Sequence, residues 1–285
     1  MEQLEDPIIT LLRDYSELNS PHVDIFDELP SALEFMRYVS LNRPFVVRSG
    51  ANDWEATRSW DVATLKSILK DQCINVAVTP FGNADSPVRS DNDDELLFVK
   101  PWMVQQDFAE FVDFIIEQEK RKDNEGTCEL KEVRYSQTQN DNLRDEYISL
   151  FPHVAKDIPW ARIALQKNPD AINLWLGNSI SITALHKDNY ENIYVQVIGQ
   201  KHFVLLPPVA YACVSEKTLT SASYMKTSDG EWKIQRENGP KIPFPTWDED
   251  KEVDKHSSHK KYSDLVVPIR VTLAKGDMLY LPALW

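Results

Sequence analysis

Residues 183–194 have the sequence Thr183-Ala-Leu-His186-Lys-Asp188-Asn-Tyr190-Glu-Asn192-Ile-Tyr194. His186 and Asp188 are two residues apart, and side chains of an extended segment repeat every second residue, so imidazole and carboxylate share one side. An imidazole nitrogen and a carboxylate oxygen are two of the three ligands that hold non-haem Fe(II) with open positions. A lone His-x-Asp pair also arises by chance, so its meaning depends on the surrounding sequence.

The sequence around this stretch is typical of β-strands. Short apolar or alternating segments occur at 172–177, 192–198, 201–206, 265–273 and 278–281, and turn residues separate them. Many short strands joined by turns favour an antiparallel barrel or sandwich with helices outside it.

Gly199-Gln200 predicts a two-residue hairpin, because glycine suits the first position of a type II′ turn. In that hairpin Lys201 lies on the same face as Asn192 and Tyr194. A lysine there is suited to anchor a small anion, although a solvent-facing lysine gives the same pattern. A straight strand through the His-x-Asp pair and this turn would span about 40 Å, so the lysine can serve that pair only if the chain bends near Asp188–Glu191.

The first half of the chain alternates helical and extended patterns. The predicted elements are a helix from Pro7, a helix capped by Ser31-Ala-Leu-Glu34, a strand at 43–48, a helix after Trp60, a strand at 74–78 and an amphipathic helix at 102–120. This alternation predicts an α/β arrangement ahead of the β-rich second half.

A charged loop at Arg121–Glu125 is the best candidate for an internal boundary. We therefore predict an N-terminal α/β region at 1–127, packed on a barrel domain at 128–285. Residues 215–261 are rich in lysine, acidic residues, serine and proline, and are predicted to be a polar insertion running over the surface.

The composition restricts the class of protein. A net charge of −14 argues against a direct nucleic-acid partner and favours a basic protein partner, although a solvated acidic surface explains it equally well. No apolar run reaches the roughly 18 residues that a membrane span needs. The cysteines Cys73, Cys128 and Cys213 form no CxxC pair and suit a reducing compartment. We expect a cytoplasmic or nuclear protein without membrane association.

The most specific signal is a set of motifs spread along the chain. The motifs are Thr183-x-x-His186-x-Asp188 with Asn192, Tyr194 and Lys201, Ala77-Val-Thr-Pro80, Pro169-Asp-Ala-Ile-Asn-Leu-Trp-Leu-Gly177, Gly199-Gln-Lys-His-Phe203 and Leu279-Tyr-Leu-Pro-Ala-Leu-Trp285. Jointly they resemble the jumonji-C (JmjC) family of Fe(II)- and 2-oxoglutarate-dependent oxygenases. The resemblance covers nearly the whole chain outside residues 215–261.

The resemblance implies a fold and a cofactor site. The implied fold is a double-stranded β-helix, the cupin or jelly-roll barrel, in a mainly β protein with an α/β N-terminal region. His186 and Asp188 would be the catalytic residues and would bind Fe(II), with O₂ as a co-substrate. The residues implied to contact the other co-substrate, 2-oxoglutarate, are Tyr135, Thr183, Asn192, Tyr194 and Lys201. Lys201 and Tyr135 would bind its distal carboxylate, which a desolvated ammonium and a hydroxyl suit.

The resemblance also implies an activity. It implies an enzyme that hydroxylates lysine at C3 in developmentally regulated GTP-binding proteins, while 2-oxoglutarate is converted to succinate and CO₂. Cleavage of modified histone tails and lysine demethylation are alternatives, although no Ser/His/Asp set, Cys/His set or His-Glu-x-x-His motif stands out. A non-catalytic protein that only binds partners is the alternative from another class. The resemblance further implies a homodimer.

One ligand of the implied iron site has no counterpart in the sequence. In the family a second metal histidine follows the Tyr-Leu-Pro-Ala-Leu-Trp motif closely, whereas this sequence ends at Trp285. The remaining histidines, all in a different context, are His22, His153, His202, His256 and His259. His202 is rejected as a substitute because it lies on the opposite face of its strand from Lys201. We expect a fragment of a longer active protein, or a truncated form with an incomplete barrel, weak iron binding and little activity.

Overall fold

The structure is a computed structural model that describes residues 6–90, 93–125, 131–247 and 260–285. Within these ranges the α-helices are α1 (Pro7–Leu18), α2 (Ala32–Leu41), α3 (Glu55–Ser59), α4 (Val62–Ile68), α5 (Phe108–Glu125), α6 (Pro159–Leu165) and α7 (Lys260–Ser263). The strands are β1 (Asp24–Phe26), β2 (Phe45–Val47), β3 (Cys73–Thr79), β4 (Asn83–Ala84), β5 (Ser86–Arg89), β6 (Leu96–Lys100), β7 (Trp102–Asp107), β8 (Val133–Tyr135), β9 (Ile182–Thr183), β10 (Asn192–Val195), β11 (Lys201–Leu205), β12 (Lys217–Lys226), β13 (Trp232–Arg236), β14 (Ile242–Phe244), β15 (Ile269–Leu273) and β16 (Met278–Leu281). None of the helices in these ranges is both long enough and apolar enough to cross a membrane.

Two sheets face each other across the core of the barrel. In the first sheet β1, β2, β16 and β10 lie side by side, and in the second β11 pairs with β15. Val46 and Leu279 of the first sheet are buried in one cluster with Leu205 and Val271 of the second. Sheets that enclose an apolar layer in this way are typical of a jelly roll. The predicted fold, a double-stranded β-helix of the cupin type with added helices, is confirmed.

The other face of the first sheet is covered by helices, because alternate residues of a strand point to opposite sides. Phe45 and Tyr280 pack there against Phe35 of α2 and Trp160 of α6. The ring centroid of Phe35 lies 4.9 Å from that of Tyr280 and 4.8 Å from that of Trp160, both in edge-on contacts. The sheet is thereby buried on both faces.

A second core surrounds the three-stranded sheet of β7, β3 and β8. Ile74 and Val76 of β3 are buried against Phe108 and Phe111 of α5. Strand β8 pairs antiparallel with β3, which places its last residue, Tyr135, opposite a residue in the middle of that strand. This pairing fixes the position of one candidate ligand residue.

Strands from the two predicted regions pair directly with each other. Strand β2 pairs with β16, β3 with β8, and β6 with β12. The division into 1–127 and 128–285 stays a prediction, and residues 126–130, including Cys128, lie outside the described ranges.

The expectation that residues 215–261 only run over the surface is wrong for the first part of that segment. Strand β12 pairs in parallel with β6, and β13 and β14 pair antiparallel with β12. Leu219, Ala222 and Tyr224 of β12 are buried. The polar composition of this segment comes mainly from its charged turns, so it does not predict the strand between them. Residues 248–259, with His256 and His259, lie outside the described ranges.

The amphipathic helix predicted at 102–120 begins only at Phe108. The residues before it form β7, which pairs antiparallel with β3 from end to end. Pairing with a neighbouring strand overrides the helical spacing of the apolar residues here.

The charged loop predicted at Arg121–Glu125 is wrong, because α5 continues to Glu125. Lysine, arginine and glutamate are good helix formers. Arg121 Nε also lies 3.1 Å from Glu117 Oε1, one turn earlier in the helix.

The hairpin predicted at Gly199-Gln200 is wrong, because the strands on either side belong to different sheets. Strand β10 pairs with β16, whereas β11 pairs with β15. Gly199 has a φ of +71°, the left-handed conformation that favours glycine, and the turn carries the chain across the barrel. Lys201 therefore enters the interior from the sheet that faces Tyr194.

The strand predicted at 172–177 forms a single bridge, between Leu176 and Ser136. A side chain replaces the missing partner strand. Asn142 Oδ1 accepts a hydrogen bond from the Leu174 N–H at 2.7 Å, and Asn142 Nδ2 donates to the Leu174 carbonyl at 2.9 Å. The backbone polar groups of Leu174 are thus satisfied by an amide rather than by a ladder.

Candidate functional site

His186 and Asp188 lie side by side in the loop after β9. His186 Nε2 is 3.9 Å from Asp188 Oδ2, and the two side chains are 47% and 52% exposed. His186 Nδ1 lies 2.8 Å from the carbonyl oxygen of Ala184. A histidine that donates through Nδ1 presents the lone pair of Nε2, and here Nε2 faces the carboxylate. The loop therefore offers one nitrogen and one oxygen donor together.

Hydrogen bonds hold Asp188 and the loop that follows it. The chain bends at Asn189-Tyr190, within the range where a bend is needed for Lys201 to serve the His-x-Asp pair. The Leu284 N–H donates to the Asp188 carbonyl at 2.7 Å. Further on, the Tyr280 hydroxyl donates to the Glu191 carboxylate. These bonds tie the loop to β16 and to the segment after it.

The donors fit ferrous iron, which takes imidazole and carboxylate ligands in oxygenase sites. Across the described residues, no group of three His, Cys, Asp or Glu side chains is placed to hold a metal. His202 lies on the exposed face of β11, where its Nδ1 is 2.8 Å from Thr272 Oγ1. The described chain thus supplies two candidate ligands, His186 and Asp188, of the three that such a site uses.

Lys201 and Tyr135 meet in the interior of the barrel. Lys201 Nζ lies 3.1 Å from Tyr135 Oη and 5.3 Å from the centroid of the tyrosine ring. Tyr135 is only 7% exposed. An ammonium and a hydroxyl held together at low exposure are suited to bind a carboxylate.

Gly177 allows Tyr135 to take this position. A Cβ on Gly177 would lie 2.7 Å from Tyr135 Cδ2 and equally close to Ser181 Oγ. Real Cβ atoms do not approach neighbours so closely. The glycine that ends the quoted Leu174-Trp-Leu-Gly177 motif is therefore explained by the packing of the tyrosine.

Tyr194 is enclosed by aromatic rings. Its ring stacks on Trp175 at a centroid distance of 6.0 Å and an interplanar angle of 14°, and meets Phe203 edge-on at 5.0 Å. Burial, with a smaller contribution from nearby Tyr135, raises the pKa of the Tyr194 hydroxyl. The hydroxyl therefore stays protonated and can donate a hydrogen bond. Sequence reasoning gave Trp175 no role, although it lies in a quoted motif.

Thr183 and Asn192 occupy different parts of the site. Thr183 pairs with Ala84 in the short parallel ladder of β4 and β9, and lines a cleft that also contains His186. Asn192 Nδ2 donates to the Tyr190 carbonyl at 3.3 Å. In the described ranges no hydrogen bond joins either residue to the lysine and tyrosine above. Their contacts with 2-oxoglutarate stay predictions, as do the roles of the other candidate residues.

The cleft beside His186 has a volume of about 580 Å³. Asp85 and Lys100 are among its lining residues, and Gln137 Nε2 donates to Asp85 Oδ2 at 3.3 Å. Burial raises the pKa of the Asp85 carboxyl, although Lys100, Gln137 and His186 oppose the shift. Sequence reasoning missed Asp85, because a single aspartate in a turn belongs to no motif.

The sequence also matches a known protein family over most of its length. A profile described as a cupin-like domain matches residues 30–285. The chain belongs to the cupin-like JmjC family.

Several JmjC proteins are similar to the chain. The Homo sapiens protein named bifunctional peptidase and (3S)-lysyl hydroxylase JMJD7 is 34% identical over 266 residues, which are 92% of this chain and 78% of that protein. Arabidopsis thaliana lysine-specific demethylase JMJ32 is 33% identical over 288 residues, which cover 98% of this chain and 80% of that protein. JmjC domain-containing protein E of Dictyostelium discoideum is 33% identical over 272 residues, which cover 90% of this chain and 75% of that protein.

Membership of the JmjC family supports a 2-oxoglutarate-dependent oxygenase that acts on a protein substrate. The names of two relatives share lysine as the residue acted on, but one names hydroxylation and peptidase activity and the other demethylation.

Proposed function

We propose that the chain is an Fe(II)- and 2-oxoglutarate-dependent protein hydroxylase that modifies lysine at C3. The observation that carries this proposal is the arrangement of His186, whose Nε2 faces Asp188 while its Nδ1 is held by the Ala184 carbonyl. The similarity to a relative named as a (3S)-lysyl hydroxylase supports the choice of reaction.

His186 and Asp188 would hold the ferrous ion. Fe(II) bound by such a pair supplies open coordination positions and redox chemistry with O₂. The ring nitrogen and the carboxylate oxygen must both be deprotonated to act as ligands, and the Ala184 carbonyl holds the proton on the other ring nitrogen.

Lys201 and Tyr135 would bind the distal carboxylate of 2-oxoglutarate. The lysine supplies the opposite charge, and the tyrosine hydroxyl, 3.1 Å from the ammonium, supplies a second donor. Tyr194 would present its protonated hydroxyl beside them, while Trp175 and Phe203 shield the site from water. Exclusion of water strengthens each of these electrostatic contacts.

The substrates that we propose are the developmentally regulated GTP-binding proteins of the cytoplasm or nucleus, with basic histone tails as the alternative. The net charge of −14 supports a basic protein partner, because an acidic surface attracts it before contact. The proposal includes a homodimer, which rests on the resemblance alone.

The test is to incubate the purified chain, and the same chain extended past Trp285 by a segment that supplies a histidine, with Fe(II), 2-oxoglutarate, O₂ and such a GTP-binding protein. In the extended form we expect a mass increase of one oxygen on lysine, placed at C3 by fragmentation and amino-acid analysis, with one succinate formed per hydroxylation. The His186→Ala variant should lose both products, whereas His202→Ala, on the exposed face of β11, should keep them.

Other products would identify other functions. Loss of a methyl group from methyl-lysine, with no stable hydroxylation, would favour the demethylase. Cleavage that persists without 2-oxoglutarate would favour the peptidase. Capture of the partner without any product in wild type and variants alike would favour a binding protein and overturn the proposal.

A further inference from the structure

The cleft beside His186 combines apolar walls with a carboxylate. Pro101, Met103 and Phe244 supply apolar surface, and Asp85 supplies the acidic group. The side chain of lysine has the matching form, a flexible four-carbon stem with an ammonium at its end.

The other charges of the cleft are already paired. Lys100 Nζ lies 2.8 Å from Glu237 Oε2, and Ser221 Oγ donates to the same oxygen at 3.1 Å. Asp85, by contrast, accepts a hydrogen bond from neutral Gln137, and none of the described lysine, arginine or histidine side chains forms an ion pair with it. A half-buried carboxylate that has no cation in direct contact favours binding of one.

The backbone holds Asp85 in a fixed relation to His186. Ala84 pairs with Thr183 in the parallel ladder of β4 and β9. Asp85, the next residue, therefore lies beside Ala184, two residues before His186. Asp85 has a φ of +51°, a left-handed conformation that is uncommon for residues other than glycine. Backbone conformations of this kind concentrate at binding and catalytic sites.

We propose that this cleft receives the side chain of the substrate lysine, with its ammonium bound by Asp85. The apolar walls then contact the stem, and the carbon to be hydroxylated stays at the His186 end of the cleft. Gln137 is a positioning residue, because it orients the carboxylate through its hydrogen bond. The inference rests on the proposed lysyl hydroxylase function and assigns its specificity.

The test compares two short acetylated peptides that differ only in one residue, lysine or the uncharged isostere norleucine. Binding to the metal-free chain is followed by NMR titration, which reports weak affinities. The variants are Asp85→Asn and Asp71→Asn. Asp71 is a matched control because it is exposed and also has a positive φ, of 59°, and asparagine tolerates that conformation.

We expect the wild-type chain to bind the lysine peptide about tenfold more tightly than the norleucine peptide, as one charge-assisted contact would give. Asp85→Asn should abolish this preference, and Asp71→Asn should keep it. Equal binding of the two peptides by the wild type would overturn the assignment of the cleft. A preference that survives in Asp85→Asn would overturn it as well.

A second assay separates this inference from the proposed function. It measures the succinate that forms from 2-oxoglutarate with Fe(II) when no peptide is present. Asp71→Asn should retain that basal turnover, because Asp71 is exposed and does not line the cleft. A lysine preference that depends on Asp85, in a wild-type chain that makes no succinate, would keep the cleft and reject the oxygenase. Succinate formation with no lysine preference would support the oxygenase and reject the assignment of the cleft.

Discussion

Lys201 Nζ lies 3.1 Å from Tyr135 Oη, although the two residues are 66 positions apart in the chain. The lysine begins β11 in the two-stranded sheet, and the tyrosine ends β8 in the three-stranded sheet of β7, β3 and β8. Their contact assembles a cationic donor and a hydroxyl donor from two separate sheets. Such a site binds a carboxylate only when both sheets are in place.

Lys201→Met should weaken binding of 2-oxoglutarate by about 10- to 100-fold, because a hydrogen bond to a charged group contributes roughly 1.5–3 kcal/mol. Tyr135→Phe should cost less, about 1 kcal/mol, because only a neutral hydroxyl is removed. Calorimetric titration with Fe(II) present and oxygen absent measures both affinities. Lys233→Met, which removes an exposed lysine of β13, is the control. Wild-type affinity in Lys201→Met would show that the lysine does not bind the co-substrate.

Gly177→Ala should destabilise the protein by about 1–3 kcal/mol and also lower the affinity for 2-oxoglutarate, because the added methyl displaces the Tyr135 ring. Urea unfolding and the same calorimetric titration measure the two effects. Gly239→Ala is the matched control, since a Cβ there meets nothing within 4 Å. Loss of stability with unchanged 2-oxoglutarate affinity would show that Tyr135 does not bind the co-substrate.

His186→Ala and Asp188→Ala should each reduce Fe(II) affinity at least tenfold, because each removes one of the donors held together in the loop. Equilibrium dialysis followed by elemental analysis measures the bound iron. In His202→Ala the affinity should be unchanged, because His202 Nδ1 contacts Thr272 away from the site. Equal iron binding by all the proteins would place the metal elsewhere.

Acid should destabilise the protein partly through Asp277. Burial alone would raise the pKa of this carboxyl, but N–H groups of Ser49 and Ala274 and the guanidinium of Arg48, at 2.5 Å, outweigh burial and lower it. A lowered folded-state pKa gives stability that is complete above the unfolded value, roughly 3.9, and is lost as pH falls through the folded one.

Asp277→Asn should therefore lower the free energy of unfolding by about 2 kcal/mol at neutral pH and make it less sensitive to acid below pH ~4. Urea unfolding of both proteins across that range checks the expectation. Asp53→Asn, at an exposed position, serves as the control. A parallel acid dependence in Asp277→Asn and wild type would exclude this carboxyl as the source.

Local signals in the sequence predicted local structure well. Asp6 and Ser31 begin α1 and α2 through hydrogen bonds to backbone N–H groups nearby in the chain, and such bonds depend only on adjacent residues. The position of Gly199 at a turn was likewise predictable, because glycine favours the left-handed conformation that it adopts there.

The choice of strand partners was not predictable in this way. Whether β10 pairs with β11 or with β16 depends on packing across the whole barrel, and a turn sequence does not encode it. For the same reason the polar composition around β12 does not predict its pairing with β6.

The residues of the candidate site differ in the same way in how far they could be predicted. His186 and Asp188 are close in sequence, so their proximity followed from spacing alone. Tyr135 and Lys201 were associated through a family resemblance, and their contact is found in the structure. Asp85 reaches the cleft through a ladder with a distant strand, and no pattern in the sequence predicts that pairing.

Strand β2 is completed by a strand made much later in synthesis. Arg48, just after β2, and Asp277, just before β16, are 229 residues apart. At about 5–20 residues per second, a ribosome needs on the order of ten seconds or more to make that interval. Throughout this time Phe45, Val46 and Val47, all buried in the finished protein, are an apolar segment that has β1 as a neighbour but not yet β16. The yield of folded protein should therefore depend on translation speed and on chaperones that hold the nascent chain, more than on the stability of the final barrel.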